Sequence, residues 1–281
     1  MVVVLRRRWA LLALLGLVLA GSSLVHFGAE PVWTATSRLL FARLVPIYKV
    51  DRKEPWVALS FDATWGTENT DRLLEILSRY GVRTTFFLAG NWVEEYPEYV
   101  RKIAEAGHEI GNHSYAHGHM ASMSEYEVRE DLERNGAMIE RLTGQKPVLF
   151  RPPFGEYDDQ LVRVSQEMGL YPVQWSIDSL DWKDLSADAM IQRALSRLGP
   201  GDIILFHNAG RHTPEAIERL IPEIQKRGYR IVPVSELIYR RNYTIEGHSG
   251  VQRALPEPPP RPEPAPGAPR TSKPPGEGGS R

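Results

Sequence analysis

Residues 55–88 read PWVALSFDATWGTENTDRLLEILSRYGVRTTFFL. Trp56 to Phe61 is a short apolar run of strand type, and Thr85 to Leu88 is another. Between them Leu73, Leu74 and Leu77 recur at helical spacing after Thr70, which reads as the cap, and Gly81 stops the run. Strand, helix, strand is the unit from which parallel sheets are built, because parallel neighbours need a crossover between them.

The same alternation continues to about Tyr243. Further strands are expected at Glu109 to Asn112, Val148 to Arg151, Tyr171 to Ile177, Ile203 to Phe206 and Tyr229 to Val232. Helices are expected at Pro97 to Ala106, in a run opened by a Ser124/Glu127 capping box and closed by Gly144, and near Asp159 to Met168, Ala187 to Leu198, Pro214 to Arg227 and Ser235 to Tyr239. Seven strands each followed by a helix give a parallel α/β domain over 55–243, either an open doubly wound sheet or a closed barrel.

The flanks differ in kind. Arg6, Arg7 and Arg8 precede Trp9 to Phe27, a run without Asp, Glu, Lys or Arg, which is close to the roughly 20 residues that span a bilayer. Residues 1–30 therefore read as a signal anchor with its arginines in the cytoplasm, or as a cleaved signal peptide with Val18-Leu19-Ala20 at the cleavage site. Residues 31–54 read as a linker. Ten of the 22 prolines fall after Ala254, and 244–281 read as a Pro-rich disordered tail that buries too little to order itself. The domain is thus expected outside the cytoplasm, held by the N-terminal helix or secreted, and monomeric.

Formal charge is −1 overall, yet the basic flanks leave about −8 on residues 51–250. A body of that sign has no broad basic face for a phosphate backbone, which excludes nucleic acid as the main partner. The chain has no cysteine, so disulfides, thiolate metal sites and cysteine nucleophiles are excluded.

Reactive side chains fall just past strand ends: Asp62, His113 with His117, Arg151, Asp178 with Asp181, and His207. In parallel α/β folds that rim is where ligands bind. His113 and His117, with His108 and His119 nearby, have the i,i+4 spacing that in a helical turn puts two imidazoles on one face, and Asp62 from another strand end would complete a His, His, carboxylate set. Asp62 also suits a general base and His207 a general acid, with Arg151 keeping the carboxylate ionised and Asp181 holding the imidazole charged. Trp65, Trp175 and Trp182 flank these segments; each alone suits the core, and together they suit a wall for a sugar ring.

These residues resemble the five motifs of the polysaccharide deacetylases with a NodB-homology domain, carbohydrate esterase family 4. Ser60-Phe61-Asp62-Ala63, His113-Ser114-Tyr115-Ala116-His117, Arg151-Pro152-Pro153-Phe154-Gly155, Asp178-Ser179-Leu180-Asp181-Trp182 and Leu205-Phe206-His207 occur in the family's order. The resemblance implies a distorted (β/α)7 barrel and a hydrolase that removes N-acetyl groups from glycan with a divalent ion, zinc first. It implies Asp62 as base, His207 as acid, Arg151 and Asp181 as their partners, His113 and His117 as metal ligands, and Trp65, Pro152, Phe154, Trp182 and Leu205 against the substrate. The family usually has a second aspartate after the base, as third ligand; this chain has Ala63. The ion would then rest on two histidines, with Glu68, Asn69 or Asp71 swinging in, or with Asp62 as ligand. The stretch Asp62 to Gly66 resembles the sporulation-type branch, which implies peptidoglycan or spore-wall glycan as substrate. A protein that keeps the groove to bind wall glycan without turnover is the alternative.

Overall fold

The computed structural model describes residues 43–256. The N-terminal apolar run and the end of the Pro-rich segment lie outside these residues. Among the described residues no helix is long and apolar enough to cross a membrane.

One parallel sheet carries the fold. Its strands are β2 (Trp56–Ala63), β3 (Thr85–Leu88), β4 (Glu109–Asn112), β5 (Leu149–Phe150), β6 (Tyr171–Pro172), β7 (Ile177–Asp178) and β8 (Ile203–His207), in the spatial order β6-β5-β4-β3-β2-β8-β7, with β9 (Arg230–Ile231) pairing the start of β2. Helices α1 (Thr70–Arg79), α2 (Gly90–Glu95), α3 (Pro97–Glu105), α4 (Glu125–Thr143), α5 (Asp159–Glu167), α6 (Ala187–Arg197), α7 (Thr213–Lys226) and α8 (Val234–Leu237) complete the alternation. Strands β3 and β4 fall where the sequence places them. The Ser124/Glu127 capping box forms on both sides, and Gly144 ends α4 in the left-handed conformation at φ 71°.

The sheet is curled. Arg151 follows β5, three strands from β2, a separation of about 14 Å on a flat sheet. Its guanidinium nevertheless meets the Asp62 carboxylate at 2.7 Å, so the two strands face each other across the inside of the curve. This is the half-barrel form of the expected (β/α)7 architecture. Side chains alternate across β2 accordingly. Val57, Leu59, Phe61 and Ala63 join the buried layer under the helices, with Leu88, Trp92 and Ile217. Ala58 joins an inner cluster with Phe87, Val173 and Ile203. Asp62 is therefore the last inward-facing residue of β2.

Four expectations are corrected. Residues 43–54 are part of the domain and not a linker: Val45, Ile47 and Val50 are buried, Ile47 bonds to both sides of Val173, and Val50 N–H donates to Gly201. The segment laces the β6 edge to the approach of β8. Likewise the domain does not end at 243, because β1 (Lys49–Val50) pairs with β11 (Val251–Ala254), which pairs with β10 (Tyr243–Ile245). Tyr171 to Ile177 is not one strand. Pro172 has no N–H for a ladder, and the next backbone groups turn to Ile47 and Ile203. Thr70 is the first helical residue of α1 and Asn69 its cap.

Candidate active site

Asp62, His113, His117, Asp178, Asp181 and His207 line one cavity of about 590 Å³ at the carboxyl ends of the strands. They come from four strand ends: Asp62 from β2, His113 and His117 from the loop after β4, Asp178 and Asp181 from the end of β7, and His207 from β8. Arg151 sits behind them, fully buried.

Asp62 is held from two sides. One oxygen accepts from Arg151 Nη1 at 2.7 Å, and the other lies 3.5 Å from His113 Nε2. Burial pushes this carboxyl up, but the charge and hydrogen bond of Arg151, with the two nearby imidazoles, outweigh it and hold Asp62 below its ordinary range. Arg151 is fixed by a second hydrogen bond to the Gln174 carbonyl at 3.0 Å and by the Phe87 ring 4.0 Å from its guanidinium carbon.

The second pair is His207 and Asp181. His207 Nδ1 lies 2.7 Å from Asp181 Oδ1, while His207 N–H donates to Oδ2 at 2.6 Å. Thr213 Oγ1 donates to the same oxygen at 2.7 Å. Burial lowers the imidazole pKa, yet the hydrogen bond and charge of Asp181 outweigh that and raise it above its ordinary value. Leu180 adopts φ 57° immediately before Asp181, and that left-handed turn swings the carboxylate inward.

His113 and His117 are neighbours, with ring centroids 4.9 Å apart, but not through a helix. Ser114 and His117 have φ of 66° and 51°, so the i,i+4 spacing closes as a loop. His113 Nδ1 bonds the Arg151 carbonyl at 2.8 Å, which leaves Nε2 facing the cavity. Burial lowers both imidazoles, His117 to about 4, so both are neutral donors at pH 7. His108 is not part of the site. It is buried at the far end of β4, where its Nδ1 accepts from Thr84 N–H at 3.2 Å. His119 is exposed, paired with Glu156 and stacked on Phe154.

The rim is aromatic. Trp65, Phe154 and Trp182 line the cavity with Pro152, Trp175 and Leu205, and the first three are more than half exposed, at 63%, 54% and 58%. Phe154 holds φ 60°. Left-handed residues other than glycine persist only where the surroundings over-determine them, and here five such residues, Ser114, His117, Phe154, Leu180 and Asp184, lie in the three loops around the mouth. Thr64, Asp184 and Arg211 also line the cavity. Sequence reading missed them because none has a partner whose spacing would mark it.

The residues present do not fit a resident ion of the three-ligand kind. His113 and His117 are suitable donors, but position 63 offers a methyl group, fully buried in the layer under the helices. Asn69 donates to the Gly210 carbonyl, Asp71 is paired with Lys102 and Tyr99, and Glu68 packs over Gly66. None of the three lines the cavity. Among the described residues no three His, Asp or Glu side chains converge as an ion cage.

Comparison with known proteins places this geometry. The family profile described as polysaccharide deacetylase matches residues 49–173. The chain is 36% identical over 185 residues to a peptidoglycan-N-acetylglucosamine deacetylase of Bacillus cereus, covering 64% of this chain and 67% of that one. It is 37% identical over 193 residues to an uncharacterized protein of Bacillus subtilis, covering 69% of this chain and 60% of that relative's length. Among solved structures it matches a CE4 family pseudoenzyme from Bacillus anthracis, with TM-score 0.67 and 36% identity over 69% of this chain and 68% of that one. A mutant of that protein described as having restored enzymatic activity matches with the same TM-score at 37% identity, over 69% of this chain and 71% of that one.

Proposed function

This chain belongs to the polysaccharide deacetylase family, and we propose that it binds N-acetylated wall glycan of the peptidoglycan kind in the aromatic-rimmed groove, with its amide hydrolysis impaired at the step of water activation. The observation that carries this reading is the buried methyl of Ala63 beside a carboxylate held below its ordinary range.

The groove suits a chain of sugars. Trp65, Phe154 and Trp182 offer flat apolar faces to sugar rings, and the inward carboxylates and imidazoles face the acetamide. His207, its imidazole pKa raised and its ring fixed by Asp181, is placed as the acid that protonates a departing nitrogen. Asp62 is placed as the base for the attacking water. On its own it is a poor one. Arg151 holds the Asp62 carboxyl below the ordinary range, which makes it a weak acceptor for a proton from unassisted water. A divalent ion, if bound, would acidify that water, and among the described residues of the groove His113 and His117 are the imidazoles that would hold it.

A slow deacetylase is the second reading, favoured by one observation. Both acid–base pairs keep full hydrogen bonds at 2.7 Å, although a purely binding groove has no need of them. The membrane-proximal, extracytoplasmic setting and a role in spore or vegetative wall follow from the N-terminal apolar run and from the relatives, and form part of the same proposal.

Two measurements on the full chain separate the readings: affinity for N-acetylated glycan oligomers, and acetate release with zinc or cobalt added. Binding with acetate release no faster than that of His207→Ala is the expected result. Release well above that variant would establish turnover and overturn the impairment, while failure to bind any N-acetylated glycan would sink both readings.

A further inference from the structure

The loop that carries the two histidines is held by a side chain that the site itself does not use. From Asn112 to Gly118 the chain makes no helix, yet its polar groups are nearly all paired. The carbonyls of Ser114 and Tyr115 accept from the first N–H groups of α2, Gly90 and Asn91, each at 2.9 Å. Gly90 must be glycine here, because a Cβ would stand 2.3 Å from the Tyr115 ring and 2.7 Å from its Cα.

The opposite side of the loop is gripped by α4. Asp131 accepts from Tyr115 N–H at 2.8 Å through Oδ1, and from Ala116 N–H and Ser114 Oγ, both at 3.1 Å, through Oδ2. Ser114 Oγ in turn accepts from His117 N–H at 3.0 Å. One turn further along α4, Asn135 donates to the Ser114 carbonyl and to Asn112 Oδ1, both at 2.9 Å. Asp131 is thus one hydroxyl away from the His117 backbone and holds both left-handed residues, Ser114 and His117, in place.

We propose that Asp131 is the positioning residue of His117: its carboxylate, through Ser114, fixes where the second imidazole stands in the groove. Three donors converge on a single carboxylate, and no other acidic side chain touches this loop's backbone among the described residues. Charge-assisted hydrogen bonds are the strong ones, so the negative charge matters as well as the shape. The inference concerns the same groove as the proposed function, but it depends on the loop and not on turnover.

The test reads the imidazole directly. Full-length wild type, Asp131→Ala, Asp131→Asn and Ser114→Ala are treated with diethylpyrocarbonate, and modification is followed at each histidine by mass spectrometry, with thermal melting alongside. Exposed His119 is the internal reference. Loss of a charge-assisted hydrogen bond shifts a local opening equilibrium by about tenfold or more. His117 modification should therefore accelerate by about that factor in Asp131→Ala and in Ser114→Ala, with Asp131→Asn between them and wild type and His119 unchanged. Should Asp131→Ala fail to fold, Asp131→Asn and Ser114→Ala decide the matter. If His117 reacts within twofold of wild type in the folded variants, Asp131 merely shapes the surface and the proposal falls, even where glycan binding is intact. If glycan binding fails while His117 responds as expected, the functional reading falls and the positioning role stands.

Discussion

Asp181 grips His207 at two points, one oxygen on the ring nitrogen at 2.7 Å and the other on the residue's own backbone N–H at 2.6 Å. Ring and main chain are thus fixed by one carboxylate, itself held by Thr213.

The first prediction follows from that grip. Asp181 raises the imidazole pKa of folded His207 above its ordinary value, so the pair's contribution to stability is fully present below pH 6.5 and fades as pH rises through the folded value. In Asp181→Asn the ring should titrate at lower pH, and the alkaline fading should vanish. Ring titration by NMR and urea unfolding between pH 6 and 9 check both. An unshifted His207 titration would remove Asp181 as its electrostatic partner.

Position 63 gives the second. A carboxylate there enters the buried layer that holds Phe61, Leu88 and Trp92. Ala63→Asp should cost about 2–5 kcal/mol without metal, as an unpaired buried charge. If the new carboxylate turns from that layer toward the cavity, where His113 and His117 stand, zinc or cobalt should recover much of the loss and acetate release should rise with it. Melting curves with and without the ion read the first part, and an acetate assay the second. Equal melting under both conditions would show that position 63 does not complete an ion site.

Arg151 supplies the third. It is fully buried and pairs with Asp62, so Arg151→Ala leaves a buried carboxylate without its counter-charge, at a cost of about 3–5 kcal/mol. Arg151→Ala/Asp62→Asn should be less destabilised than Arg151→Ala alone. Chemical unfolding of the single and double variants measures the difference, and simple additivity would mean that the two side chains are not coupled.

The fourth concerns His108, away from the groove. Its Nδ1 accepts from Thr84 N–H, which requires the ring to be unprotonated there, and burial lowers its pKa to about 4. A depressed pKa gives stability that is full above pH 6.5 and is lost as pH falls toward 4. The loss should amount to about 3 kcal/mol across that window. His108→Gln should flatten this limb of the stability profile. A variant with the same acid slope as wild type would assign the slope to other groups.

What the sequence made legible was what strong local chemistry encodes. The strand at Thr85 came through because Thr-Phe-Phe-Leu sits between the glycines at 81 and 90, and the one at Glu109 because a helix stops at Gly107 just before it. Asp62, His113 and His207 stand at or just past strand ends, where the alternation of strand and helix marks them. The illegible parts depend on distant partners. Residues 45–50 read as a linker because their pairing partners lie at 173, 201 and 251, and the 243–254 hairpin was masked by the proline-rich composition that follows it. The His113–His117 spacing suggested a helical turn, since nothing in HSYAH announces that Asp131, fourteen residues later, will absorb the loop's N–H groups.

The contact of Arg151 with Asp62 also has a kinetic side. The two residues are 89 positions apart, and they meet only once the β2 and β5 ends of the sheet have bent toward each other. Local helices and hairpins can gather earlier, at small entropic expense. The pocket therefore exists only when a long-range closure is complete: a chain in which the β2 and β5 ends have not met carries every reactive group and no site.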